Sequence, residues 1–237
     1  MNQTILPNQQ SSTSISNRQK TEDSANLTCS LGFWSAVIAT AAGVIYFLVI
    51  VGALITRQMT FPPPDWLQLF GGIVSLLFCP VMVVVMACLD TITPPEKRAL
   101  SRASLAFTLL FATAVSINRF VQLGVVRQSI VLGETEGITW FLAYSERSIM
   151  FALEILGWGW FLGLALLVAA PLFAAPGYQR WLRWLLFLYG VLALLSAMAH
   201  LLASPLAAIG FVAWGFILFL VTGLLAVHFQ RTGYLTQ

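Results

Sequence analysis

Residues 103–126 have the sequence ASLAFTLLFATAVSINRFVQLGVV, an apolar stretch interrupted by a single guanidinium group, that of Arg119. A helix needs roughly 20 predominantly apolar residues to cross about 30 Å of hydrocarbon, and this stretch has that length. A charged side chain inside such a helix costs about 3 kcal/mol on insertion scales, so it needs a partner or water. We therefore expect Arg119 to face other parts of the protein rather than lipid.

The rest of the chain has the same apolar character, because 59% of its residues are hydrophobic and only 9% are charged. A soluble domain cannot bury so much apolar surface and keep a polar exterior. The alternating segments of about ten residues that barrel strands require are absent. The sequence therefore predicts an all-α, polytopic transmembrane bundle within residues 31–230. Its six spans are expected at about 34–55, 66–89, 103–127, 148–172, 182–203 and 206–228.

Segments outside the spans predict the topology. Residues 1–30 are polar and predict a disordered cytoplasmic tail. The longest connection, 128–147, predicts an outer loop whose apolar core IVLGETEGITWFLAY can lie along the membrane interface. Cations near the span ends favour a cytoplasmic location for both termini. The inner side then carries Arg18, Lys20, Lys97, Arg98, Arg102, Arg180, Arg183 and Arg231, whereas the outer side carries Arg57, Arg127 and Arg147.

Glu154 in the fourth span is the expected partner of Arg119. At 1.5 Å per residue, Arg119 lies roughly 12 Å from the outer end of its span and Glu154 roughly 9 Å below the same surface. Similar depth on sequential antiparallel helices predicts a salt bridge. Asn118 borders a stripe of small and polar residues on the third span, which is expected to face protein. The stripe consists of Thr108, Ala112, Ser116, Arg119 and Gln122.

Other polar and aromatic residues are expected near the same depth, and they suggest an outward-opening pocket among spans two to five. Gln68 lies near the outer start of span two and His200 near the outer end of span five. His200 can be a proton relay or a satisfied interfacial histidine, and Trp158 a pocket wall or a packing residue. The candidate pocket residues are Arg119, Glu154, Asn118, Gln122, His200, Trp158 and Gln68.

Catalytic and metal-binding motifs are not evident. The sequence contains no HExxH, GxSxG, Walker loop or Rossmann glycine fingerprint. His200 and His228 are expected near opposite membrane faces, so they cannot share a metal. The net charge of +3 comes mostly from loop cations and does not indicate a nucleic-acid surface. We expect no catalytic residue, metal site or cofactor, and the lipid bilayer as the main partner.

The polytopic layout, the polar sequence SINRFVQ in span three and the lone Glu154 resemble uncharacterised six-span bacterial membrane-protein families. The resemblance covers roughly residues 34–230. It implies a multi-pass protein of the bacterial cytoplasmic (inner) membrane, and it implies no activity.

Two functional interpretations follow. In the first, a non-enzymatic membrane protein binds or transports a small molecule or lipid through the outward-facing polar pocket. In the second, a structural or accessory subunit uses the pair of Arg119 and Glu154 only to lock helix packing. A bound ligand or water-filled cavity between spans three and four favours the first interpretation, and a dry, fully packed junction with an exposed groove sized for a partner helix favours the second.

Overall fold

The computed structural model describes residues 8–60, 63–134, 136–143, 145 and 147–234, with side chains from residue 24 to residue 233. These described residues form helices joined by short connections and contain no strand. The helices are α1 (Asn8–Ile55), α2 (Asp65–Ile92), α3 (Pro95–Leu132), α4 (Ile149–Leu172), α5 (Tyr178–Leu201) and α6 (Pro205–Gly233).

All six helices are long and apolar enough to cross a membrane, and within α1 the candidate span is Ser24–Ile55. This confirms the predicted all-α, six-span fold class, and the chain is a multi-pass membrane protein. An even number of spans places the start of the first span and the end of the sixth on the same side. We call the opposite end of the bundle, which carries the connection between α3 and α4, the loop end.

Two helices are longer than the sequence predicted. α1 begins at Asn8, inside the segment 1–30 where a disordered tail was expected, and residues 1–7 lie outside the described part of the chain. Extending an existing helix avoids the cost of nucleation, so a polar segment can continue an apolar span. α3 continues to Leu132 and takes the first residues of the expected loop 128–147. It ends at Gly133, whose φ of 76° is the left-handed conformation that often terminates helices.

The helices pack in a ring. Each helix packs against the next one along the chain, and α6 packs against α1. One continuous apolar core joins them, and Met82, Phe111, Tyr189 and Phe229 are among its fully buried members. The outward faces carry large exposed apolar side chains, which is expected where a bundle contacts lipid. Examples are Leu48, Leu77 and Phe120.

Glycines allow α4 and α5 to approach closely. A Cβ atom at Gly159 would lie 3.0 Å from Cβ of Ala197, and one at Gly163 would lie 3.2 Å from Cβ of Ala193. The GxxxG of α4 therefore lies in a helix interface within the chain. Small residues at such positions let helices gain van der Waals contact in lipid, where the hydrophobic effect does not drive association.

The end opposite the loop end is fixed by a capping contact. Lys97, before the α-helical part of α3, extends its Nζ to the carbonyl oxygens of Pro171 and Leu172, at 3.2 and 3.0 Å. These carbonyls end α4, where the helix dipole favours a cation. The contact fixes α3 against α4 at one end, and the ion pair described below joins them near the other end.

Candidate functional site: a buried ion pair beside a polar cavity

Arg119 and Glu154 form the predicted salt bridge, so this prediction is confirmed. Arg119 Nη2 donates to Glu154 Oε1, and the two side chains are only 13% and 17% exposed. Asn118 Nδ2 donates to Glu154 Oε2 at 2.6 Å and to the carbonyl oxygen of Met150 at 3.1 Å. Both oxygens of Glu154 are therefore bonded to α3. The network provides the compensation that a buried charge needs.

Both helices depart from regular α-helix beside the pair. A π-helical segment, Gln122–Val126, follows Arg119 in α3, and another, Ile155–Phe161, directly follows Glu154 in α4. Such turns are rare and frequently occur at functional sites, because an extra residue per turn redirects the side chains that follow. Each π-helical segment therefore begins within three residues of a member of the pair.

The connection between α3 and α4 is tied down on both sides. Ser148 caps α4, because its Oγ accepts from the backbone N of Met150 at 3.1 Å. The same hydroxyl donates to the carbonyl oxygen of Trp140 at 3.2 Å, in the short 3-10 helix Ile138–Phe141. Gln122 Nε2 donates to the carbonyl oxygen of Phe141 in the same short helix. The connection is thus held against the loop end of α3 and α4.

A cavity of about 260 Å³ lies between the loop ends of α2 and α3. One part of its lining is apolar and another part carries charges and amides. The apolar part consists of Leu69, Gly72, Leu123, Val126, Ile130 and Ala143. The polar part consists of Asp65, Gln68, Arg119, Gln122 and Arg127.

Arg119 therefore faces two environments, the ion pair and the cavity. Its Nε is buried and has no hydrogen-bond partner among the described residues. At the rim, Arg127 Nε lies 3.4 Å from Asp65 Oδ1, and these side chains are 41% and 71% exposed. Such an exposed pair contributes about 0–1 kcal/mol, so it is easily rearranged. The cavity thus offers cationic hydrogen-bond donors beside an apolar wall.

Only some of the predicted pocket residues line this cavity. Arg119, Gln122 and Gln68 do so, and Gln68 Nε2 also donates to the carbonyl oxygen of Pro63 at 2.6 Å. Glu154 and Asn118 do not line it. Glu154 holds Arg119 from the α4 side, and Asn118 of α3 donates to the same carboxylate.

His200 and Trp158 lie elsewhere. His200 packs edge-on against Phe151 with ring centroids 5.1 Å apart. Trp158 is 9% exposed and contacts Phe78 and Phe111 in the core, at centroid distances of 5.7 and 4.9 Å. Its indole N–H interacts with Glu154 without reaching hydrogen-bond geometry. The cavity is therefore confined to α2, α3 and the loop, and does not extend across to α5.

Two residues near the ion pair and the cavity, Tyr46 and Asp65, were not predicted from the sequence as part of this site. Tyr46 of α1 stacks on Phe70 with centroids 6.3 Å apart and lies within electrostatic range of the ion pair. The sequence feature that could have indicated it is the single phenol within the predicted span 34–55. Asp65 at the start of α2 approaches Arg127 near the end of α3. The sequence feature that could have indicated this contact is that Asp65 and Arg127 have opposite charges and lie at span ends on the same predicted side of the membrane.

Within the described ranges no group of three or more His, Cys, Asp or Glu side chains is placed to hold a metal ion. Cys29, Cys79 and Cys88 are buried free thiols. The arrangement is suited to binding through guanidinium donors and apolar contact. No protein-family model, curated protein or solved structure matches the chain.

Proposed function

We propose that this protein is a non-enzymatic membrane protein that binds a small amphipathic molecule, free or as part of a lipid, in the cavity between α2 and α3. The proposal is carried by two observations on Arg119: the residue lines this cavity, and its buried Nε has no hydrogen-bond partner in the described chain. Intramembrane ionisable groups commonly mark ligand or ion routes. Burying a hydrogen-bond donor without an acceptor destabilises a protein by about 1–3 kcal/mol or more, and a ligand that supplies the acceptor removes this penalty.

The size and lining of the cavity support the same function. Sites for drug-sized ligands span roughly 300–1,000 Å³, and this cavity measures about 260 Å³. It therefore suits a small metabolite or one end of a lipid. Leu69, Leu123 and Val126 supply the apolar wall that such a molecule's aliphatic part requires.

A second candidate function is structural, and one observation favours it. Both oxygens of Glu154 are bonded to α3, and Glu154 does not line the cavity. Glu154 and Asn118 would then lock α3 against α4 in a structural or accessory subunit. In the proposed binding function, the same contacts hold Arg119 at the cavity.

We further propose that the membrane is a bacterial cytoplasmic membrane and that both termini are inside, which places the cavity on the outer face. The distribution of Lys and Arg around the spans supports this orientation. Alkaline phosphatase fused after Glu136 is expected to be active, and the enzyme fused after Lys97 inactive, because it folds only outside the cytoplasm. The reverse pattern would contradict the proposed orientation.

The binding proposal is tested by filling the cavity. Leu69→Trp places an indole in the cavity, whereas Leu77→Trp makes the same change on α2 at a side chain that is 64% exposed, outside the cavity lining. The protein is purified from its native membrane in nanodiscs, and bound small molecules and lipids are measured by mass spectrometry. We expect a molecule that co-purifies with wild type and Leu77→Trp and is depleted at least tenfold in Leu69→Trp, a loss of about 1.4 kcal/mol in affinity. Equal recovery from all three proteins, or no bound molecule in any, would exclude the proposed site.

A further inference from the structure

We infer that the ligand of this cavity carries an anionic oxygen group, a carboxylate or a phosphate, attached to an aliphatic portion. The inference rests on the binding function proposed above and names the chemistry of its ligand. The lining itself carries two cations, Arg119 and Arg127, and one carboxylate, Asp65. Glu154 is outside the lining and already accepts from Arg119 and Asn118.

A second reason to expect an anionic ligand is the set of hydrogen-bond donors that the lining residues still have available. Gln68 Nε2 and Gln122 Nε2 are already bonded to backbone carbonyl oxygens, those of Pro63 and Phe141. Arg119 Nε is buried and has no partner in the described residues. A guanidinium group binds carboxylate and phosphate oxygens more strongly than neutral acceptors, because the hydrogen bonds are charge-assisted. Arg119 therefore gives the lining a cationic group with an unpartnered donor, beside the second N–H of each Gln amide.

Arg127 supplies a second cation near the rim. It lies about 12 Å along α3 from Arg119 by helix rise. Its ion pair with Asp65 is long, at 3.4 Å, and both side chains are substantially exposed. Rearranging such a pair costs little. Arg127 can therefore turn toward an incoming anion and increase its local concentration before Arg119 binds it.

The apolar part of the lining indicates that the ligand is not an inorganic ion alone but also has an aliphatic portion. Leu123, Val126 and Ile130 face the cavity on the α3 side, and their contact with an aliphatic group contributes roughly 25 cal/mol per Å² of apolar surface buried. The same chemistry is present in a free short-chain carboxylate and at the headgroup end of an anionic phospholipid. These are two sources of one ligand class.

The first experiment compares matched probes in phosphatidylcholine nanodiscs at neutral pH and constant ionic strength. Hexanoate and hexan-1-ol share an aliphatic chain and differ in charge. We expect saturating hexanoate to raise the midpoint of thermal unfolding by on the order of 5 °C, as a ligand well above its Kd does. Hexan-1-ol is expected to leave the midpoint unchanged. The hexanoate effect should disappear in Leu69→Trp and persist in Leu77→Trp.

Arg127→Gln tests the anion requirement without disturbing the buried pair. We expect it to weaken hexanoate binding about fivefold, the scale of one exposed charge contact. Arg147→Gln is the matched control, because Arg147 is exposed near the same end of the bundle and does not line the cavity. It should leave hexanoate affinity unchanged. Equal losses in the two variants would contradict a specific role for Arg127.

A second arm separates the two sources of the anion. If a lipid is the source, nanodiscs containing phosphatidylglycerol raise the midpoint over phosphatidylcholine alone, Leu69→Trp removes this rise, and hexanoate adds nothing further. If a free anion is the source, hexanoate acts equally in both lipids. Either result supports the inference.

Equal effects of hexan-1-ol and hexanoate, or no effect of hexanoate and phosphatidylglycerol, would overturn the inference that the ligand is anionic. A neutral molecule that co-purifies and is lost in Leu69→Trp would overturn the anion while leaving the proposed binding function intact.

Discussion

Gly190→Ala is expected to lower the free energy of unfolding by about 1–3 kcal/mol, the usual cost of overpacking a close contact. A Cβ atom at Gly190 would lie 2.7 Å from Cβ of Leu167 and 2.9 Å from the carbonyl oxygen of Gly163. The second of these is a backbone atom, so no side-chain rotation relieves the contact. α4 and α5 must separate, and the van der Waals contacts along their interface weaken with them.

Gly52→Ala is the matched control for this prediction. Gly52 lies in α1, and a Cβ atom there meets nothing within 4 Å. Alanine favours a helix over glycine by about 0.5–1 kcal/mol, so Gly52→Ala should leave stability unchanged or slightly higher. The measurement is equilibrium unfolding of both variants in the same nanodiscs. If Gly190→Ala proves as stable as Gly52→Ala, α4 and α5 do not pack as closely as described.

The six spans and the ion pair could be predicted because they depend on the length of each apolar run and on the number of residues between a charge and the end of its span. The length of an apolar run decides whether it crosses the membrane. Counting residues from the span ends gave Arg119 and Glu154 a similar depth, and sequential antiparallel helices are usually neighbours. The structure joins these two side chains, with Asn118 beside them.

Which residues line the cavity could not be predicted in the same way, because lining depends on helix rotation and on position around the ring. His200 was expected at a similar depth to Arg119, yet it packs on Phe151. On α3 the regular helical spacing continues into the lining, because Leu123, Val126 and Ile130 follow Arg119 at spacings of four, three and four. The spacing did not show that α2, and not α5, supplies the facing wall.

The extent of α1 and α3 was also underestimated, because composition alone does not show where a helix stops. α1 begins at Asn8 in a polar segment, and α3 continues through Arg127 to Leu132. The longer α3 brings Ile130 to the cavity lining. A prediction that ended the span at residue 127 and began an interfacial loop at 128 could not place Ile130 on this helix.

Arg119 is held at the cavity by its buried pair with Glu154. Removing one member of such a pair leaves an uncompensated charge, which typically costs about 3–5 kcal/mol. Removing both members leaves no charge to bury, and the cost is then small. The exposed pair of Arg127 and Asp65 provides an internal comparison, since exposed pairs contribute only about 0–1 kcal/mol.

The most direct measurement is a double-mutant cycle on the free energy of unfolding in nanodiscs, with Arg119→Met, Glu154→Gln and the double variant, beside the cycle of Arg127→Met and Asp65→Asn. The predicted result is a loss of about 3–5 kcal/mol for each buried single variant and substantial recovery in the double variant. The rim cycle should show coupling below about 1 kcal/mol. Buried single variants as stable as wild type, with no coupling between them, would contradict a structural pairing of Arg119 with Glu154, because both side chains would then already face water or ligand.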